Sequence, residues 1–308
     1  MKIRAIFSNS IAQIYIICIY LPLYVWIGRL CLKYKRKPTV LREVNPAFPY
    51  WWLICTKSII LEKFLQKKEN TKFFTASLHI PANDFLSEKI KKSEIFLQKN
   101  KLHYPLILKP DNGVGGIGVQ FIKNKSELKS ILSQIKKDHI LQEYVSRSEE
   151  LSIFFIKEPH QKKGEIWSIT KRYSIKQTQD PELMIPERRV ICNDESHRIT
   201  PIVHMLFNDI SDIPWFHFGR FDIRVKDMEK FLSTGKDFTI IEVNVGAHSM
   251  ALHAFDTKYN WIKKYRILFN QILFAFKIAD KNADIPSHYP HQNFKEFLEW
   301  FMNIYKNG

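Results

Sequence analysis

Three short stretches of this chain hold polar residues in patterns suited to phosphate and hard metal ions. The first is Ile107-Leu-Lys-Pro-Asp-Asn-Gly-Val-Gly-Gly-Ile-Gly-Val119. Lys109 ends an apolar run, and Gly113, Gly115, Gly116 and Gly118 follow. Backbone N–H groups with no side chain in the way approach phosphate oxygens closely, and a nearby ammonium neutralises them. The whole chain has only 10 glycines, so four in one loop single it out. It is not a Walker loop, which ends in Gly-Lys-Ser/Thr, nor a Rossmann turn, which a helix follows. A glycine hairpin with an unrelated lysine has the same local pattern.

The second stretch is Phe218-Gly-Arg-Phe-Asp-Ile-Arg224. On a strand, Asp222 lies on the face opposite Phe221 and Ile223, where it would be a good ligand for a hard metal. A salt bridge to Arg220 or Arg224 is the simpler alternative. The third is Thr239-Ile-Ile-Glu-Val-Asn-Val-Gly246, where Glu242 and Asn244 are two apart and share a face. Two oxygen donors on one face make half a magnesium site, or a polar sheet edge.

The elements that must position these groups alternate between helix and strand, which predicts an α+β or α/β fold. Residues 38–50 hold three prolines and read as an extended connector. Trp51–Lys67, Ser87–Asn100 and Lys125–Lys137 have helical periodicity. Strands are expected at Phe73–Ile80, Tyr104–Lys109, Val119–Ile122, Ile140–Val145, Leu151–Ile156, Glu165–Ile175, Phe221–Val225 and Phe238–Val245. Val190–Leu206 reads as strands with turns. The chain closes with helices at Tyr259–Ala279 and Asn293–Tyr305.

Taken in order, ILKPDNGVGGIGV, ILQEYV with Glu149-Glu150 behind it, SITKRY, FGRFDIR and IIEVNVGAHS resemble the ATP-grasp superfamily, the fold of D-alanine–D-alanine ligase and other carboxylate–amine ligases. The resemblance runs from about Lys57 to Asn282. It implies an α+β fold of two subdomains clamping ATP, with an abbreviated N-terminal region and an apolar N-terminal helix. The expected segments are 1–37, 38–102, 103–282 for the ATP-grasp domain, and 283–308 for a C-terminal helix.

The resemblance also implies roles. Lys109 would reach the α- and β-phosphates under a lid formed by Gly113–Gly118. Lys171 and Lys57 would be further phosphate lysines. Gln142, Glu143, Tyr144 and Val145 would form the hinge that reads adenine. Glu150 would hold the ribose hydroxyls, with Glu149 as the fallback. Asp222, Glu242 and Asn244 would hold two Mg²⁺ ions, with Mn²⁺ as a substitute, and Arg220 would face the reacting carboxylate. Arg220 and Lys171 are thus the expected catalytic pair. The implied reaction activates a carboxylate as an acylphosphate with Mg·ATP and joins it to an amine or a thiol. A degenerate relative that binds nucleotide as a regulatory or scaffold module is the alternative. Substrate specificity would lie in the N-terminal region and in Pro181–Arg189 and Asp209–His217, whose sequences name neither carboxylate nor amine.

Charge and composition bound the rest. The chain carries 47 Lys and Arg against 31 Asp and Glu, a net +16, which suits anionic partners. Its lysines are dispersed, and no zinc-finger, RRM or helix-turn-helix pattern occurs, which argues against nucleic acid as the partner. Cys18, Cys31, Cys55 and Cys192 form no CxxC pair and read as free thiols of a reducing compartment. Ile11–Gly28 is uncharged and just long enough to be a membrane-span candidate, although Pro22 interrupts it. Arg29, Lys33, Lys35, Arg36 and Lys37 follow it and would keep the rest of the chain cytoplasmic, at the inner face of a membrane. An interfacial helix or one packed on the protein remains open.

Overall fold

The computed structural model describes residues 21–48, 56–113, 116, 118–146, 149–174, 190–247 and 249–284. The first ten residues of the apolar segment, Gly115, Trp51–Cys55, Pro181–Arg189, His248 and the helix expected at Asn293–Tyr305 lie outside the described residues.

Helix α1 covers residues 21–34. Helix α2 (Lys57–Leu65), strand β1 (Ser77–Ile80), helix α3 (Leu86–Asn100), β2 (Leu106–Pro110), β3 (Gln120–Ile122), α4 (Lys125–Leu132) and β4 (His139–Glu143) follow. Then come β5 (Glu149–Ile156), β6 (Glu165–Ser174), β7 (Val190–Asp194), α5 (Pro201–Ile210), β8 (Phe218–Val225), α6 (Met228–Thr234), β9 (Phe238–Val245) and α7 (Trp261–Asn282).

The strands form two antiparallel sheets. The smaller has the order β1-β4-β2-β3, the larger β7-β6-β5-β8-β9. This is the α+β arrangement expected. Strand β1, from the stretch before residue 103, pairs with β4 and so belongs to the small sheet.

Side chains alternate across each strand, and the alternation divides the large sheet into two unlike faces. Leu151, Ile153, Phe155, Ile169, Phe221, Ile223 and Val225 turn to one face and pack with Phe64 of α2, Phe207 of α5 and Phe231 of α6. On the other face, Ser152, Thr170 and Asp222 are buried polar residues, while Phe154 and Phe218 at its end pack under α7. One face is therefore core, and the other carries the polar site.

Three elements differ from the sequence reading. Pro38–Val44 is a 3₁₀ segment rather than extended, with Val40 and Val44 buried in the cluster that includes Phe276 of α7. Pro201–Ile210 is a helix, not strand and turn. Thr200 caps it by accepting from Val203 N–H at 3.3 Å, and Pro201 sits at its first position, where a missing N–H costs nothing. Helix α6, not foreseen, starts at an Asp227 cap and ends at Gly235 with φ +66°.

Helix α1 lies along α7. Trp26 stacks on Phe269 with ring centroids 5.3 Å apart, its Nε1 donates to the Phe269 carbonyl at 3.0 Å, and Tyr34 meets Phe276 at 5.2 Å. Residues 21–28, the last eight of the apolar segment's eighteen, thus form part of a helix packed on the protein. Among the described residues, no helix is long and apolar enough to cross a membrane.

Buried Asn45 fixes the entry to β8. Its Oδ1 accepts from His217 N–H at 2.6 Å and Phe218 N–H at 2.8 Å, and its Nδ2 donates to the Phe218 carbonyl at 2.6 Å. The His217 ring beside it is 5% exposed, and neither ring nitrogen has a hydrogen-bond partner. Burial, and then the nearby Lys157 ammonium, lower its pKa from 6.5 to about 4. The unfolded chain takes up this proton near 6.5 and the folded chain only near 4, so stability falls as pH drops through that window and levels off below it. The loss attributable to this group is about 3 kcal/mol. Urea unfolding of wild type and His217→Phe at pH 7 and pH 4.5 should show the variant gaining relative to wild type at the lower pH. A pH-independent gap would contradict a neutral buried imidazole.

Candidate active site

The two sheets meet at β9. Lys109 Nζ, buried near the end of β2, donates to the Ile241 carbonyl at 3.2 Å. Gln142 Nε2 on β4 donates to the same carbonyl at 3.2 Å and to Ser77 Oγ at 3.0 Å. Thr75 N–H adds a bond to the Ile240 carbonyl at 3.1 Å. These contacts bring the strand bearing Lys109 against the strand bearing Glu242 and Asn244.

Lys57 closes the cluster. It is the first residue of α2, whose N-terminus is held by Asp111: Ser58 N–H and Oγ–H donate to the two carboxylate oxygens at 2.7 Å each. So held, Lys57 Nζ donates to the Gly113 carbonyl at 2.7 Å and lies 3.0 Å from Glu242 Oε1. Gly116 and Gly118 have φ of +77° and +76°, a backbone state that L side chains rarely adopt. A Cβ at Gly118 would meet Pro110 Cγ at 2.8 Å. Gly118 therefore allows the chain to pass close against Pro110, the residue after Lys109.

Strand register builds the other wall. Asp222 lies opposite Glu242, and Arg220 opposite Asn244, so all four share a face. Asp222 is 3% exposed and accepts four hydrogen bonds: Ser152 Oγ at 2.6 Å, Arg220 Nε at 2.8 Å, Arg220 Nη2 at 2.9 Å and Asn244 Nδ2 at 3.0 Å. Burial disfavours its charge, but Arg220 and Arg172 outweigh that and hold its pKa below the ordinary carboxylate value. Glu242 is likewise held low, with Lys57 and Lys109 overcoming burial. Burial pulls the Lys109 ammonium below its usual value against the opposing Glu242 charge.

Two carboxylates and an amide on neighbouring strands fit a hard divalent cation. A carboxylate offers about four lone-pair sites, and those of Asp222 are taken. Cation binding there requires Arg220 to swing away or the Asn244 amide to turn its oxygen inward.

The structure does not bring Lys171 to this face. Lys171 lies opposite Leu151 in the β5–β6 register, on the core side of the sheet, paired with Glu149. Burial works against its charge, but Glu149 holds its pKa above the ordinary lysine value. Glu149 also accepts from Met228 N–H at 2.7 Å, and the pair lines a separate pocket of about 350 Å³ with Glu195 and Arg198. The residue on the site face is Arg172, opposite Glu150, bonded to it and 3.9 Å from Asp222 Oδ2. Sequence reasoning missed Arg172, although Ser168, Thr170 and Arg172 form one face by simple alternation.

Glu150 is therefore already engaged by Arg172, and by Arg224 Nη2 at 3.5 Å. Strand β4 of the small sheet ends at Glu143, and β5 of the large sheet begins at Glu149. Glu143 N–H donates to Ala76, the Val145 carbonyl accepts from Arg224, and the Tyr144 ring packs edge-on to Phe121.

A family model described as a RimK-like ATP-grasp domain matches residues 53–158, which contain the α2 lysine, the glycine loop, the hinge and Glu150. This third of the chain thus matches the ATP-grasp domain family, in line with the fold expected from the sequence. A curated D-alanine–D-alanine ligase of Helicobacter acinonychis is 24% identical over 206 residues, covering 61% of this chain and 53% of the relative. The chain thus spans about half the length of that relative. Among solved structures, D-alanine–D-alanine ligase of Bacillus anthracis is similar at 17% identity and TM-score 0.47, over 74% of this chain and 67% of that one. The carboxyaminoimidazole ribonucleotide synthase of Aspergillus clavatus, complexed with ATP, is similar at 12% identity and TM-score 0.40, over 61% and 44%.

If this site takes Mg·ATP, the two neighbouring β6 cations should separate by face. Arg172→Ala should weaken Mg·ATP binding about tenfold or more, since a charge-assisted contact is lost, while Lys171→Ala stays near wild type. Isothermal titration of both variants decides; the reverse ranking would put the phosphate contact on Lys171.

Proposed function

We propose that this chain is an ATP-dependent ligase that activates a carboxylate as an acylphosphate and joins it to an amine or thiol. The observation that supports this most directly is the meeting of Lys57, Lys109, Glu242, Asp222, Asn244 and Arg220 in one cleft between two sheets. Such a set has no nucleophile–base pair. It suits a reaction in which positioning and charge neutralisation supply most of the rate.

In this reading Lys109 and Arg172 lie along the α- and β-phosphates, and Lys57 and the glycine loop cover them. Hinge residues 142–145 read adenine, and Glu150 takes the ribose hydroxyls. Asp222, Glu242 and Asn244 hold magnesium, with Mn²⁺ a substitute, which when bound offsets the negative charge of the phosphate oxygens. A substrate carboxylate oxygen attacks the γ-phosphorus, and the bond to ADP breaks. The amine then attacks the acyl carbon, loses a proton, and phosphate leaves. Arg220 leaves Asp222 to stabilise the oxyanion formed in that second step.

A nucleotide-binding module without turnover is the second reading, and the saturation of Asp222 by four donors favours it. The two are separated by incubating the full chain with Mg·ATP, a panel of carboxylates and hydroxylamine as the amine. The ligase reading expects ADP and hydroxamate in equal amounts with at least one carboxylate, and a loss of about 100-fold or more in Asp222→Asn. Unchanged activity in that variant would sink the metal assignment. ATP bound but never converted to ADP across the panel would support the module.

A further inference from the structure

Helices α1 and α7 run parallel, since Trp26 meets Phe269, Tyr34 meets Phe276 and Arg36 meets Asp280. Their N-terminal ends therefore lie side by side, joined by buried Leu23 and Leu268. At that end large apolar side chains face outward. Leu21 is 57% exposed, Val25 66% and Ile262 80%, with Trp261 half exposed beside them.

Exposed cations lie along the same two helices, Arg29, Lys263 and Arg266 nearer this end and Lys33 and Lys35 at the far end of α1. Lys263 Nζ lies 3.5 Å from the Tyr259 ring centroid, and Lys264 Nζ 5.2 Å from that of Trp261. No acidic residue occurs in 21–42 or in 257–279. The chain enters α1 from Ile11-Ala-Gln-Ile-Tyr-Ile-Ile-Cys-Ile-Tyr20, which is also uncharged.

We propose that this end of the α1–α7 pair docks on an anionic lipid surface. Apolar side chains enter the headgroup–acyl boundary, aromatic rings sit at its level, and Lys and Arg pair with lipid phosphates. Charge decides against the other occupants. A second copy would bring the same exposed cations onto themselves in a two-fold contact, and the cores of protein interfaces are depleted of lysine. The site is independent of the nucleotide cleft, so the proposal does not rest on the ligase reading.

The test is co-sedimentation of the full chain with vesicles of phosphatidylcholine alone and with about one-third phosphatidylglycerol. Binding should favour the anionic vesicles about tenfold or more and weaken with salt. Val25→Glu with Ile262→Glu, both at exposed positions, should lower it about tenfold while the circular dichroism spectrum is kept. Lys263→Gln with Arg266→Gln should cut the anionic preference by up to about 25-fold, each cation being worth about fivefold. Equal binding to both vesicle types, or binding unchanged in Val25→Glu/Ile262→Glu, overturns the proposal. So does a concentration-dependent dimer that the same substitutions abolish, which would assign the face to a second copy.

Discussion

One backbone carbonyl, that of Ile241, joins the halves of this molecule's site. It accepts from the Lys109 ammonium and from the Gln142 amide, both projecting from the small sheet, while its own strand supplies Glu242 and Asn244 to the large one. Lys109 is almost wholly buried, and an ammonium out of water is tolerated only where acceptors and opposite charge meet it. The carbonyl and Glu242 supply these. The contact that joins the two sheets therefore also offsets part of the cost of burying Lys109, whose ammonium burial disfavours and Glu242 favours.

The remaining polar face follows from the same constraint. Asp222 could not be buried unpaired, and Arg220, Ser152 and Asn244 saturate it. Glu150 is bound between Arg172 and Arg224. Breaking one partner of such a buried pair costs about 3–5 kcal/mol, so the network is rigid until a competing charge arrives. On the proposed reading, a triphosphate with its metal would bring both signs at once: anionic oxygens for the arginines and a cation for Asp222, Glu242 and Asn244. The arrangement thus stores, within the protein, the charges that the nucleotide would take over. Asn45 serves it from a distance, by fixing where β8 begins.

Much of this was legible in the residues. The motifs on β8 and β9 could be placed because strand alternation has a period of two, so Asp222, Glu242 and Asn244 had to share a polar face if their apolar neighbours were buried. The glycine loop stood out against a glycine-poor chain. The same alternation puts Lys171 on the core side and Arg172 on the polar face, a parity that the SITKRY motif by itself does not show. For helix α5, expected as strand and turn, the deciding signal is the Thr200-Pro201 cap. No sequence pattern reveals that Gln142 would point at Ile241, or that Asn45 would bind β8 from 173 residues away, because such contacts depend on tertiary approach. Nor could the apolar N-terminal run show that its C-terminal end packs on α7.

The most direct test of the central claim, that the Lys109 seam is the nucleotide site, is titration of Mg·ATP into the folded full chain and into Lys109→Ala by calorimetry. The structure predicts 1:1 binding by wild type that requires Mg²⁺ and is weakened about tenfold or more in the variant, the loss of one charge-assisted contact. Equal affinity of the two proteins would contradict it, because the buried lysine would then be serving the sheet junction alone.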